Sequence, residues 1–202
     1  MKHPSQKRFW WLAALGVVAA LVAAFSWGQL RADAAPTLHG TALDNPPLVA
    51  PFELTNARGE RVTLEAWRGE LLLVFFGFTS CPDVCPLTLG RLAKIYEDLG
   101  EPEDVQVVMI TVDPEHDTPE VTQRYAEAFH PDFVGLSGST ADIAEAAKRF
   151  YVGYRELGER SFLHTDTVAL LDREGRLRLV YGQDKVARIG SDLKTILAQR
   201  RW

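Results

Sequence analysis

Residues 71–78 (LLLVFFGF) carry no polar side chain, and they run straight into Thr79-Ser80-Cys81-Pro82-Asp83-Val84-Cys85-Pro86. A short, uninterrupted apolar run bounded by turn residues reads as a strand covered on both faces. Such a strand needs other layers over it, which restricts the chain to an α/β architecture once helical segments follow. One follows at once: Leu89, Leu92, Tyr96 and Leu99 recur at helical spacing, and Gly100 is a stop signal.

The loop between strand and helix holds the only two cysteines among 202 residues. A residue before proline is pushed out of the α region, so Cys81 and Cys85 are both expected outside the helix. Pro86 then takes its first position and Cys85 its N-cap. A thiol there feels the positive end of the helix dipole, which favours the thiolate. Two such groups can close a disulfide or share a soft metal ion, but not both at once. The bland alternative, two buried structural cysteines, does not call for a proline-bracketed loop.

The N-terminus indicates the compartment. Residues 9–30 form an uncharged apolar run between Arg8 and Arg31, and about 20 such residues cross a bilayer. A cleaved leader has a shorter apolar region, although Ala32-Asp33-Ala34 resembles a cleavage site. Lys2, Lys7 and Arg8 precede the run, which puts 1–8 in the cytoplasm and the rest beyond the inner (cytoplasmic) membrane. Trp10, Trp11 and Trp27 fit interfacial positions near its ends. Residues 31–50, with Pro36, Pro46 and Pro47, read as an extracytoplasmic linker, leaving 51–202 as a single domain. A net charge of −5 without a basic stripe argues against nucleic acid. Two thiols cannot staple a domain of this size; outside the cytoplasm they tend to oxidise unless a partner keeps them reduced.

Strands and helices alternate along the domain. Residues 52–54 and 62–64 read as a hairpin through Arg58-Gly59, and 105–112 as a second buried strand. Thr118-Pro119 opens a helix with Val121, Tyr125 and Phe129 on one face, and Thr140 is expected to cap the next. Strands at 167–171 and 177–181 flank a turn at 172–175, and a last helix covers 185–199. This order predicts an α/β sandwich with a central, partly parallel sheet, whose first buried strand ends where such folds place chemistry.

Among the five histidines, His3 lies before the span and His39 in the linker. His130 reads as a solvated residue after a helix, and His116 sits in a polar loop. His164, just before a strand, is either functional or a satisfied loop residue.

The segment 75–86 (FFGFTSCPDVCP) resembles the signature of the Sco (SenC) family of copper-handling proteins. Asp113-Pro114-Glu115-His116-Asp117-Thr118-Pro119, Val134-Gly135-Leu136-Ser137-Gly138, His164-Thr165 and Tyr181-Gly182-Gln183 extend the resemblance to the C-terminus in matching order. The resemblance implies a thioredoxin-like central β-sheet flanked by helices, with copper, as Cu(I) or Cu(II), bound by Cys81, Cys85 and His164. It also implies assistance in maturing the binuclear copper site of cytochrome c oxidase subunit II, by copper delivery, by reduction of that site's cysteines, or both. A periplasmic copper donor or thiol reductant would then be a further partner.

Two thiolates and an imidazole suit soft Cu(I) and leave a position open, whereas a structural zinc site closes with a fourth protein ligand. Many members carry an acidic residue before the histidine; here it is Leu163, so Asp166 or Asp113 is needed to orient the ring. Asp83 reads as a solvated loop carboxylate. The rival classes are a thiol–disulfide oxidoreductase that cycles Cys81 and Cys85 without moving copper, and a copper or redox sensor. A peroxidase is disfavoured, because Thr79 is two rather than three residues before Cys81.

Overall fold

The apolar run at 71–78 becomes the middle of a six-stranded sheet. The computed structural model describes residues 10–11, 15–23, 26, 37–158 and 161–199, in two units, 1–37 and 38–202. In the first, residues 10–11, 15–23 and 26 are helical and exposed. Segment 1–8 and much of the expected span 9–30 lie outside the described residues. Among those described, no helix is long and apolar enough to cross a membrane.

The second unit contains β1 (Thr41–Ala42), β2 (Leu54–Thr55), β3 (Arg61–Val62), β4 (Leu71–Gly77), α1 (Val84–Asp98), β5 (Val105–Thr111), α2 (Pro119–Glu127), β6 (Val134–Leu136), α3 (Thr140–Arg149), β7 (Tyr154–Gly158), β8 (Ser161–His164), β9 (Thr167–Leu171), β10 (Leu177–Gly182) and α4 (Ile189–Ala198). The main sheet has the order β1-β10-β9-β4-β5-β6. β4, β5 and β6 are parallel neighbours; β9 runs antiparallel to β4, and β10 antiparallel to β9. Every residue of β4 is buried, as its composition requires. β2 with β3 and β7 with β8 form separate hairpins.

Several expectations need correction. Residues 38–50 are not a free linker: β1 pairs with β10, Val49 donates to the Gly175 carbonyl, and Leu177 donates to that of Pro47. These bonds are made by backbone, so no side-chain period announces them. α1 begins at Val84 with Asp83 as N-cap, which places Cys85 and Pro86 inside its first turn. Proline is tolerated there because the first backbone N–H groups of a helix have no intrahelical acceptor. α3 is capped by Ser139, not Thr140, in a reciprocal box with Asp142.

α2 follows its expected design: the Thr118 hydroxyl accepts the Val121 N–H at 3.3 Å, and Pro119 takes the first position. It lies directly against β6, where a Cβ on Gly135 would come within 2.3 Å of the Thr122 carbonyl oxygen. Only glycine admits this approach.

Candidate metal centre

Cys81 lies in the loop after β4, Cys85 in the first turn of α1, and His164 closes β8. All three are buried, and both thiols are free. Cys85 Sγ lies 3.7 Å from His164 Nε2. Cys81 joins through Cys85, whose backbone N–H donates to Cys81 Sγ at 3.5 Å. A sulfur and a nitrogen sharing one soft ion, with bonds of about 2.3 and 2.0 Å subtending roughly 120°, are separated by about 3.7 Å. Cys85 and His164 thus already stand at ligand spacing.

Local packing explains the approach. A Cβ on Gly77 would lie 3.0 Å from Cys85 Sγ and 2.7 Å from the Phe75 ring, so a side chain there would fill the pocket. The imidazole meets Phe75 and Phe78 edge to face, with centroids 6.3 and 5.8 Å away. The cysteine loop is pinned by Asp117, a fully buried carboxylate. It accepts from the Thr79 N–H at 2.8 Å, the Thr79 hydroxyl at 2.5 Å and the Thr111 hydroxyl at 2.8 Å. Gln183 straps α1 to the histidine loop: its amide donates to the Thr88 hydroxyl at 2.9 Å and to the Asp166 carbonyl at 3.4 Å.

The electrostatics correct one expectation. Burial pushes the Cys85 thiol up, and the neighbouring Cys81 side chain adds to the rise. Desolvation therefore favours the neutral thiol at this sulfur, against the thiolate expected from its place at a helix N-terminus. Asp166 Oδ1 is 3.1 Å from His164 Nδ1, but off the hydrogen-bonding direction, so the buried Nδ1 has no hydrogen-bond partner. Of the two carboxylates considered for the ring, Asp113 is engaged elsewhere, 2.8 Å from His116 Nδ1. Leu163 is 58% exposed and contributes no charge. Asp83 is exposed and makes no side-chain cap.

His39 and His130 have partners of their own. His39 is held by Asp192. His130 is buried rather than solvated, stacked edge-on against Tyr96 at 4.9 Å. With Glu101 and Asp132 it forms a group whose potential donor atoms lie within 4.8 Å of one another. Its Nδ1, however, accepts the Asp132 N–H at 3.2 Å, which puts the ring proton on Nε2 and leaves no lone pair for a metal. Sequence reasoning passed over Asp117 and Gln183 as site residues, although both stood in recognised motifs.

The family model for SCO1/SenC matches residues 40–198. A SCO2-like protein of Rickettsia prowazekii is 38% identical over 140 residues, spanning 66% of this chain and 68% of its own. The solution structure of apo Sco1 from Thermus thermophilus superposes with a TM-score of 0.71 at 44% identity, covering 81% of this chain and 99% of that one. Arabidopsis thaliana ScoI, solved with copper bound, gives 0.67 at 31% identity over 74% of this chain and 99% of its own. Another solved member is described as belonging to the Sco family of cytochrome c oxidase assembly proteins. These likenesses extend well past the cysteine loop, from the strand-forming segment before β2 through α4, and on that breadth the chain belongs to the SCO1/SenC family.

Proposed function

We propose that this chain binds one copper ion through Cys81, Cys85 and His164 and serves the assembly of the binuclear copper site in cytochrome c oxidase subunit II. The observation that carries the reading is the 3.7 Å contact between Cys85 Sγ and His164 Nε2 beside a second free thiol. Two sulfurs and one imidazole are a soft donor set with a position left for an incoming ligand. Copper is the cargo, arriving from a periplasmic donor. Binding releases protons because the sulfurs must be anionic; at Cys85 the ion competes with a proton that burial holds in place. Phe75 and Phe78 keep the imidazole in an apolar setting, while the Asp117 and Gln183 bonds hold the two ligand-bearing loops in register.

The apolar run 9–30 would anchor the chain in the inner membrane, with 1–8 in the cytoplasm and the domain outside it. Its length, the basic residues ahead of it and the flanking tryptophans support that topology.

A second reading is favoured by the closeness of the thiols. With Cys85 N–H on Cys81 Sγ, the pair is placed to cycle between dithiol and disulfide, reducing the target's cysteines without moving copper. Incubating the copper-loaded domain with metal-free oxidase subunit II copper domain separates the two. Copper appearing in the target supports delivery; loss of the target's disulfide with no copper transferred supports reduction. Neither event would overturn both readings and leave a sensor as the better account.

A further inference from the structure

The open side of α1 carries three residues that the fold itself does not use. Gly90 is exposed in mid-helix, and a Cβ there would meet nothing within 4 Å. Glycine weakens a helix interior relative to alanine, so its place calls for a close neighbour. Gly190 of α4 has one, because a Cβ on it would come 3.3 Å from the Ile95 side chain. Gly90 has none. One turn before it, Leu87 is 47% exposed. Next to it, the half-buried Arg91 has no ion pair among the described residues. Leu87, Gly90, Arg91 and Lys94 share one face at helical spacing. With Pro86 and Ala187 they line an open groove of about 440 Å³.

Charge decides what the groove fits. Lys94 is answered by Asp98 at 2.7 Å, which leaves the Arg91 guanidinium as the unanswered charge of the lining. Just past Ala187, Arg188 is exposed and also lacks an ion pair among the described residues. In a chain of net charge −5, this is a local excess of cations around apolar side chains, complementary to carboxylates. The groove starts at Pro86, directly after Cys85. We infer that it docks an acidic segment of the protein that receives the copper. That segment lies against the bare backbone at Gly90, covers Leu87 with an apolar side chain and sets a carboxylate on Arg91. So held, it ends beside the cysteine loop. The inference rests on the copper reading above and adds to it where the acceptor is gripped.

The test titrates metal-free oxidase subunit II copper domain against the copper-loaded full chain in neutral detergent, for wild type, Gly90→Gln and Arg91→Glu. Each variant should bind that domain at least about tenfold more weakly, while chelator competition finds wild-type copper affinity. Wild-type binding should weaken as salt is added, and Arg91→Glu should respond less. The melting temperature of Gly90→Gln should stay the same or rise, since a helix former replaces glycine. Wild-type affinity for the copper domain in either variant would overturn the inference while leaving the ligand assignment standing. So would a fall in copper affinity that matches the loss of binding, or a clear fall in the Gly90→Gln melting temperature. An Arg91→Glu effect that appears only when phosphatidylglycerol is added would assign the groove to a lipid surface and overturn it too. A wild-type chain that neither binds the domain nor exchanges copper or a disulfide with it would end the reading on which the inference rests.

Discussion

Two buried regions of the domain use the same residue types to opposite ends. Around Asp192, the carboxylate accepts the backbone N–H groups of His39 and Gly40 at 2.9 and 3.0 Å and the Tyr181 hydroxyl at 2.9 Å, with His39 Nδ1 at 2.7 Å. Around the cysteines a histidine and an aspartate are again present, yet His164 Nδ1 lacks a hydrogen-bond partner although Asp166 Oδ1 stands 3.1 Å away. The first group is complete and ties residues 39–40 to α4. The second leaves one ring nitrogen unbonded beside its carboxylate. Leaving a buried polar group unpaired costs about 1–3 kcal/mol, a cost the first region avoids and the second carries.

The largest effect should come from the complete region. Asp192→Ala strands the Tyr181 hydroxyl and the Gly40 N–H, and urea unfolding should show a loss of about 3 kcal/mol. Copper affinity should remain at the wild-type value. A copper defect at unchanged stability would erase the distinction between the two regions.

A smaller effect is expected beside the metal ligands. Asp166 is the carboxylate next to His164 Nδ1. If it takes up that hydrogen bond once the ring is coordinated, Asp166→Ala should weaken copper binding by about tenfold or more, with little change in unfolding. A chelator competition that finds no difference would leave the ring oriented by its aromatic neighbours alone.

Legibility from sequence divides along similar lines. β4, β5 and the Thr118-Pro119 start of α2 were readable because burial and capping leave local signatures. β1, β6 and the β7–β8 hairpin were not: they are two to five residues long, and β7 is almost wholly exposed. Cys85 was misplaced because proline rules bar helix interiors far more strongly than first turns. His130 was misread because its burial depends on Tyr96 and Phe133, which only the tertiary fold brings to it. Within the site, the cysteines announced themselves through their prolines, whereas His164 needed the family resemblance.

The most direct test of the account is copper titration of the reduced wild-type domain beside His164→Ala, read by chelator competition. Wild type should take up one Cu(II) per chain with a sulfur-to-copper charge-transfer band. The variant should bind at least about a hundredfold more weakly, a loss of roughly 2.7 kcal/mol, while forming the Cys81–Cys85 disulfide as before. Equal stoichiometry and affinity in the two proteins would contradict a centre built from both thiols and this imidazole.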